Sequence, residues 1–206
     1  TCTGSNLLLF TGTTNQDTSG SVTITAKYNN VTLTAIDTLR LNTDYKPRNT
    51  SSYLLAPATG ANTLLTTRGT SGLLYVSASS YTGVAQSGQP DSHATNSATS
   101  VGTLTTSTTV VASNCWLIGS GTFGGGGTIS AGAGTTKRVN DADRISSVWD
   151  SNGTVSTGSQ SLIVNTTNSA ANISLLIASF APVAASSAIK SFDGLAYASI
   201  KTVEGL

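Results

Sequence analysis

Residues 22–35 read Val-Thr-Ile-Thr-Ala-Lys-Tyr-Asn-Asn-Val-Thr-Leu-Thr-Ala, and this stretch decides the fold class. Apolar and polar residues alternate in residues 22–26 and again in residues 31–35. A period of two residues is typical of a half-buried β-strand, and β-branched threonine is favoured on its exposed face. The residues between them, 28–30, are Tyr-Asn-Asn, and asparagine tolerates the left-handed backbone of a tight turn. The stretch therefore predicts two strands joined by a tight turn.

Short strand patterns continue on both sides of this stretch. They are predicted at residues 52–55, 63–67, 73–80, 101–112, 115–118, 144–149, 161–165 and 173–180. The segments between them are rich in Gly, Pro, Asn, Asp and Ser, as at residues 56–60, 87–91 and 150–153. No stretch has a convincing helical stripe. Many short strands separated by turn residues predict an all-β sandwich or barrel.

The composition excludes several classes of function. The chain has 206 residues, which suits one all-β domain, since such domains often reach about 200 residues undivided. Charged residues make up only 9% and the formal net charge is +1. So few Lys and Arg residues disfavour binding to nucleic acid or to an anionic membrane surface. A neutral surface of hydroxyl and amide groups is expected instead, as in extracellular and virion proteins.

The two cysteines, Cys2 and Cys115, leave two alternatives open. Cys2 precedes the apolar run at residues 7–10, and Cys115 begins the apolar run at residues 115–118. A disulfide is geometrically plausible if these runs form neighbouring strands. Two unpaired buried thiols are the other alternative, since two cysteines are too few to form a pattern.

No motif predicts catalysis, a metal or a cofactor. His93, the only histidine, is expected in a surface loop, and no Gly-x-Ser-x-Gly elbow accompanies it. The glycine run at 124–127 lacks the Lys-Ser/Thr ending of a phosphate-binding loop. Asp141 and Asp143 offer too few oxygen ligands for calcium and lie beside basic residues. Most other acidic residues, Asp150 included, lie in turn contexts. We therefore expect a non-enzymatic protein.

The C-terminal segment contains a short internal repeat. The pattern Ile-Lys-Ser/Thr-apolar-acid-Gly-Leu occurs at residues 189–195 and again eleven residues later at residues 200–206. The Asp-Gly pair of the first copy predicts a hairpin turn, and an isolated hairpin is only marginally stable in water. We therefore expect a body at residues 1–182 and an assembly hairpin at residues 183–206. The predicted assembly residues are Ile189, Lys190, Phe192, Gly194, Leu195, Ile200, Lys201, Val203, Gly205 and Leu206.

Three segments carry a resemblance to a known family. They are Lys-Tyr-Asn-Asn-Val-Thr-Leu-Thr at residues 27–34, Tyr-Leu-Leu-Ala-Pro-Ala-Thr-Gly-Ala-Asn-Thr at residues 53–63 and Ser-Tyr-Thr-Gly-Val at residues 80–84. Their order resembles jelly-roll-like β-sandwich domains of phage-derived and environmental bacterial surface proteins, over residues 5–181. Residues 189–206 resemble the Ile-Lys-x-x-x-Gly repeats that end phage structural proteins. The resemblance implies an antiparallel jelly-roll-like sandwich with a structural role and no catalytic residues.

These observations lead to one expected function and three rivals. The expected function is that of a virion structural protein, such as a capsid decoration, fibre or tail-surface subunit. It would lie on the virion surface or outside a cell, as a homo-oligomer in contact with other virion or surface proteins. The first rival is a subunit of a bacterial extracellular filament or surface layer. The second is a carbohydrate-binding module with glycan partners. The third, a hydrolase, would rest on His93 alone.

Overall fold

The chain is built from antiparallel β-strands. The computed structural model describes residues 1–16, 22–41, 47–125, 127–140, 146–184, 191–192 and 195–196. This part of the chain contains seventeen strands and no helix, which confirms the all-β prediction. The strands are β1 Leu8–Gln16, β2 Ile24–Tyr28, β3 Val31–Thr32, β4 Thr34–Arg40, β5 Pro47–Leu55, β6 Leu64–Arg68, β7 Leu74–Tyr81, β8 Ser92–Val101, β9 Thr103–Val110, β10 Cys115–Gly124, β11 Ile129–Ala131, β12 Thr136–Asn140, β13 Ser146–Val155, β14 Gly158–Thr166, β15 Ala171–Phe180, β16 Ser191–Phe192 and β17 Leu195–Ala196.

Four sheets stack on one another. A four-stranded sheet of order β4-β5-β1-β7 packs face to face on a five-stranded sheet of order β12-β13-β10-β15-β8. We call these the two central sheets. The outer face of the first is covered by the sheet β3-β2-β6, and the outer face of the second by the sheet β11-β14-β9. A separate two-stranded sheet contains β16 and β17.

Each interface between sheets has its own apolar cluster. Leu8 and Phe10 of β1 lie between the two central sheets, whereas Leu7 and Leu9 face the sheet β3-β2-β6. The apolar run of β15 divides in the same way: Ile177 packs toward the sheet β11-β14-β9 and Ala178 between the central sheets. A strand covered on both faces carries a nearly continuous apolar sequence because neither face meets water.

The arrangement of strands around β1 is repeated around β10. β1 pairs with β5 and β7, and β10 pairs with β13 and β15. β4 lies beyond β5, as β12 lies beyond β13. The outer pair β2–β6 corresponds to the outer pair β11–β14. We call β1–β7 the first unit and β10–β15 the second unit. β8 and β9 connect them and extend the two sheets of the second unit.

Contacts between the units occur in the pairs that an approximate two-fold axis requires. β5 contacts β10 and β13 contacts β1, while β7 contacts β13 and β15 contacts β5. The strand registers identify equivalent residues. Phe10 in β1 lies opposite Tyr53 in β5, and Ile118 in β10 lies opposite Asp150 in β13. Phe10 and Ile118 are themselves equivalent, because the residues two positions further along each strand, Gly12 and Ser120, meet across the axis, as do Thr14 and Thr122. Tyr53 and Asp150 are therefore equivalent positions.

The predicted turn after Tyr28 is confirmed. Asn29 and Asn30 have φ values of 47° and 64°, and Tyr28 pairs with Val31 across the turn. The second predicted strand differs, because it is divided at Leu33. β3 stays with β2 in the outer sheet, whereas β4 pairs with β5 in a central sheet. One alternating stretch of sequence thus contributes to two layers.

Candidate functional site

The thiols of Cys2 and Cys115 are both free and buried, so the disulfide alternative is wrong for this structure. Cys2 packs with Leu7 and Leu9 under the sheet β3-β2-β6 and forms an isolated bridge with Gly60. Cys115 begins β10 in the other central sheet. The sequence made a bridge plausible if the two apolar runs formed neighbouring strands, but β1 and β10 belong to two stacked sheets and Cys2 packs on the outer side of the first.

His93 lies on β8, so its prediction as a loop residue is wrong. Its backbone pairs with Ala178 of β15. Its side chain is exposed, and Nε2 lies 4.0 Å from Oδ2 of Asp37. The neighbouring Ser92 hydroxyl is engaged with Ser179 at 2.8 Å. These contacts describe an edge strand and its polar neighbours, and they provide no nucleophile beside the imidazole.

A layer of buried polar side chains lies between the two central sheets. Asn49 Nδ2 donates to the carbonyl of Ser120 at 2.8 Å, and Ser120 Oγ donates to Asn49 Oδ1 at 2.9 Å. The hydroxyls of Ser51 and Ser120 lie 2.6 Å apart. The equivalent of Asn49 in the second unit is Ser146, which donates to the carbonyl of Gly12 at 3.4 Å. Buried polar groups need such partners, and here each unit supplies them to the other.

Asp150 is the centre of a second polar cluster between the units, and its side chain is fully buried. Arg138 Nε donates to Asp150 Oδ2 at 2.5 Å, and the Tyr81 hydroxyl donates to the same oxygen at 3.1 Å. Oδ1 accepts from the backbone N–H of Asn152 at 2.8 Å. Burial, followed by the charge of Asp150, raises the pKa of Tyr81 above its usual range. The hydrogen bond to Asp150 raises the pKa of Arg138.

The Asp150 cluster is suited to holding the units together rather than to catalysis. A general acid or base must reach the proton it transfers, but the Asp150 carboxylate is enclosed and both its oxygens accept hydrogen bonds. The sequence placed Asp150 in a turn, which is wrong: it lies within β13. No local signal marked it as buried, because residues 149 and 150 point to opposite faces of the strand and the cover over Asp150 comes from Tyr81, which is distant in sequence.

Asp91 fixes the chain where it enters the second unit. Its carboxylate accepts from the backbone N–H of Val111 at 2.8 Å and of Ala112 at 3.2 Å, and from the Ser179 hydroxyl at 3.1 Å. The Cys115 thiol lies 3.8 Å from Asp91 Oδ2. Burial, followed by the negative charge of Asp91, raises the pKa of Cys115 to about 11. The thiol is therefore protonated at neutral pH.

The described residues contain neither a cluster suited to a metal ion nor a membrane-spanning helix. Those residues contain no cluster of three or more Cys, His, Asp or Glu side chains that could hold a metal ion. Asp141 and Asp143, considered for calcium, lie outside the described residues. The described ranges contain no helix of the length and apolarity needed to cross a membrane.

The edge strands differ in their protection. β4 carries Asp37 and Arg40, and β12 carries Lys137 and Arg138, whereas β3 and β11 are two and three residues long. Charges and short length are the usual devices that prevent an edge from pairing with another chain. β7 and β9 have eight residues each and the edge strand β8 has ten, and none of the three contains Lys, Arg, Asp, Glu or Pro. They are therefore candidate assembly edges.

The outer faces of β9 and β14 carry hydroxyl groups. Thr103 Oγ1 donates to Asn165 Oδ1 at 2.9 Å, and the hydroxyls of Ser107 and Ser161 lie 2.8 Å apart. Residues of β9 alternate regularly between exposed and buried, with threonine or serine at each exposed position. On this sheet the solvent-facing groups are neutral hydroxyls and amides.

The predicted assembly residues are described only in part. Phe192 of β16 pairs with Leu195 of β17, and Ser191 pairs with Ala196. The remaining predicted assembly residues lie outside the described residues: Ile189, Lys190, Gly194, Ile200, Lys201, Val203, Gly205 and Leu206.

No family model, no curated protein and no solved structure matches this chain.

Proposed function

We propose that this chain is a virion structural protein, a capsid decoration, fibre or tail-surface subunit that assembles through β-strand contacts. The observation that carries the proposal is the uncharged edge of β7. Soluble monomers usually blunt such edges because unpaired N–H and C=O groups recruit other strands. An eight-residue edge without charge or proline suits a subunit that meets a neighbour. The proposed location is the virion surface or the space outside a cell.

The layered fold also supports a structural role. Virion proteins commonly use all-β folds, and the jelly roll implied by the sequence resemblance is one of them. A jelly roll has two sheets formed by two Greek keys, whereas here four sheets stack and one strand arrangement is repeated. We therefore base the proposed role on the all-β class and on the strand edges, without relying on jelly-roll topology.

A bacterial extracellular filament or surface layer would use the same features. Both roles require subunits that associate through strand edges and carry neutral surfaces. The genes beside this one separate the two roles. Capsid or terminase genes would favour the virion, and secretion genes with an export leader would favour the filament.

A carbohydrate-binding module is the less supported alternative. Sugar-stacking platforms use exposed aromatic rings, but the large exposed apolar side chains of the described residues are aliphatic: Val31, Leu65, Leu73, Val76, Val111 and Val183. Binding of the chain to a glycan array, without assembly in solution, would favour this alternative over the structural role.

The proposed role is tested by measuring the assembly of the full-length chain. Light scattering over a wide concentration range should show oligomers, and negative-stain electron microscopy should show particles of regular shape. Antibody labelling of native virions or cells then locates the subunit. A chain that stays monomeric at every concentration and labels no particle or cell surface would contradict the proposal.

A further inference from the structure

β8 extends a sheet of the second unit, and among the described strands the first unit has no counterpart to it. β7 and β15 are equivalent, since each pairs with the central strand of its unit and ends that unit. The other edge of β15 pairs with β8. Among the described strands, none pairs with the other edge of β7. The first unit therefore has an open edge where the second has a pairing partner.

The chain order identifies the segment that matches β8. β8 begins at Ser92, eleven residues after the end of β7 at Tyr81. β16 begins at Ser191, eleven residues after the end of β15 at Phe180. The segments that follow the two units also meet, because Val84 and Pro182 form an isolated antiparallel bridge. β16 therefore follows the second unit at the same distance along the chain as β8 follows the first.

The register of β8 predicts where an equivalent strand would lie. Ser92 pairs with Ser179 of β15. Ser79 and Ala178 are equivalent, because they lie opposite Phe10 and Ile118, so Ser80 is the first-unit equivalent of Ser179. A strand that occupied the β7 edge as β8 occupies the β15 edge would therefore place Ser191 opposite Ser80.

The isolated chain does not use this pairing. β16 pairs with β17 in a two-stranded sheet of its own, separate from the sheet that contains β7. The β7 edge meanwhile presents apolar surface, since Val76 is 40% exposed and Leu73, just before the strand, is 52% exposed. A two-stranded ribbon alone is marginally stable, and a third strand would stabilise it.

We propose that the open edge of β7 receives β16 of a second copy of this chain, with Ser191 opposite Ser80. This inference rests on the proposed function, because it assumes that copies assemble, and it names the contact they use. The contact is a β-augmentation, in which main-chain hydrogen bonds extend a sheet across two molecules. Donor and acceptor surfaces differ, so the interface is heterologous and generates a ring or an open filament.

Cross-linking of two full-length variants tests the pairing directly. Ser80→Cys and Ser191→Cys are purified separately, mixed in equal amounts and oxidised. Opposed residues on paired strands have Cβ atoms about 4.5–5.5 Å apart, close enough for a disulfide after small adjustments. We expect a covalent dimer that joins position 80 of one variant to position 191 of the other, identified by mass spectrometry of its peptides.

Each other cross-linking outcome would overturn the inference. A dimer of Ser80→Cys with itself would indicate that β7 pairs with β7 of another copy. A disulfide within the Ser80→Cys/Ser191→Cys double variant at high dilution, with none in the mixture, would place the strand in its own chain. Absence of any bridge between positions 80 and 191 would remove the pairing altogether.

A surface substitution separates this inference from the proposed function. Val76→Lys places a charge on the β7 edge, and Val111→Lys is the control, because Val111 is 69% exposed and lies outside the strands. Light scattering should show association weakened at least tenfold for Val76→Lys and unchanged for Val111→Lys. If the original chain and Val76→Lys assemble equally, the proposed pairing at the β7 edge is wrong but the structural role stands. If the original chain never assembles, both fail.

Discussion

Tyr81 and Asp150 meet across the two central sheets, where the phenol donates to Asp150 Oδ2 at 3.1 Å. Their equivalents in the other half of the molecule, Phe180 and Tyr53, also meet, with ring centroids 5.6 Å apart. One position of the repeated arrangement thus holds a polar contact on one side of the approximate axis and an aromatic contact on the other. The polar side has an additional partner, Arg138, which completes the Asp150 charge pair.

Asp150→Asn should destabilise the protein by about 2–3 kcal/mol, because it removes the charge attracted to Arg138 from a buried position. The part of Arg138 that is exposed to water limits the loss. Urea unfolding followed by tryptophan fluorescence measures it, since Trp149 is fully buried. Asp37→Asn is the control and should change stability by less than about 1 kcal/mol, as is usual for an exposed pair. Equal losses for the two variants would contradict a structural role for the Asp150 cluster.

The sequence predicted local features of the fold better than its layers. The turn at Asn29 and Asn30 was predictable because its backbone requirement is met by the two residues themselves. The position of Asp150 was not, because residues 150–153 have turn composition, yet β13 continues through them with Asn152 at a φ of 54°. The burial of this acid depends on Tyr81 and Arg138, which are distant in sequence.

Strands with few apolar residues were also missed. β8 has the sequence Ser-His-Ala-Thr-Asn-Ser-Ala-Thr-Ser-Val and forms because β15 offers it an edge. The buried hydroxyl layer was unexpected for a related reason. Alternation of apolar and polar residues assigns threonine and serine to water, but in strands covered on both faces these residues pair with each other, as Ser51 does with Ser120.

The two central sheets approach closely at Gly12. A Cβ atom added there would lie 2.5 Å from the Cβ of Ser120, which is fixed to its backbone. Gly12→Ala should therefore force the sheets apart and destabilise the protein by about 1–3 kcal/mol. Thermal unfolding measured by circular dichroism checks this. Gly124→Ala is a matched control in β10, because its nearest neighbours would be 3.9 Å away; a similar loss there would assign the effect to the residue type and not to the close approach.

The two buried thiols should be protected from chemical labelling in the folded protein. Native protein treated with iodoacetamide at pH 8 should stay unlabelled, and protein unfolded in urea without reductant should gain two labels, because both cysteines are free. Only the thiolate reacts. With its pKa raised to about 11, Cys115 would carry roughly two-hundredfold less of the reactive thiolate at pH 8 than an ordinary thiol of pKa about 8.5, even where it was accessible.

The raised pKa of Cys115 also makes the stability of the protein depend on pH. A thiol whose pKa is raised by folding is stabilised by folding only in its protonated form, so its contribution is complete below the unfolded pKa of about 8.5. That contribution decreases as the pH rises toward 11. Cys115→Ala should therefore reduce the loss of unfolding free energy between pH 8 and pH 10.5, measured by urea unfolding. The iodoacetamide experiment tests the free thiols themselves. If the unfolded protein takes up no label until reductant is added, a disulfide links Cys2 to Cys115 and the free-thiol arrangement is wrong.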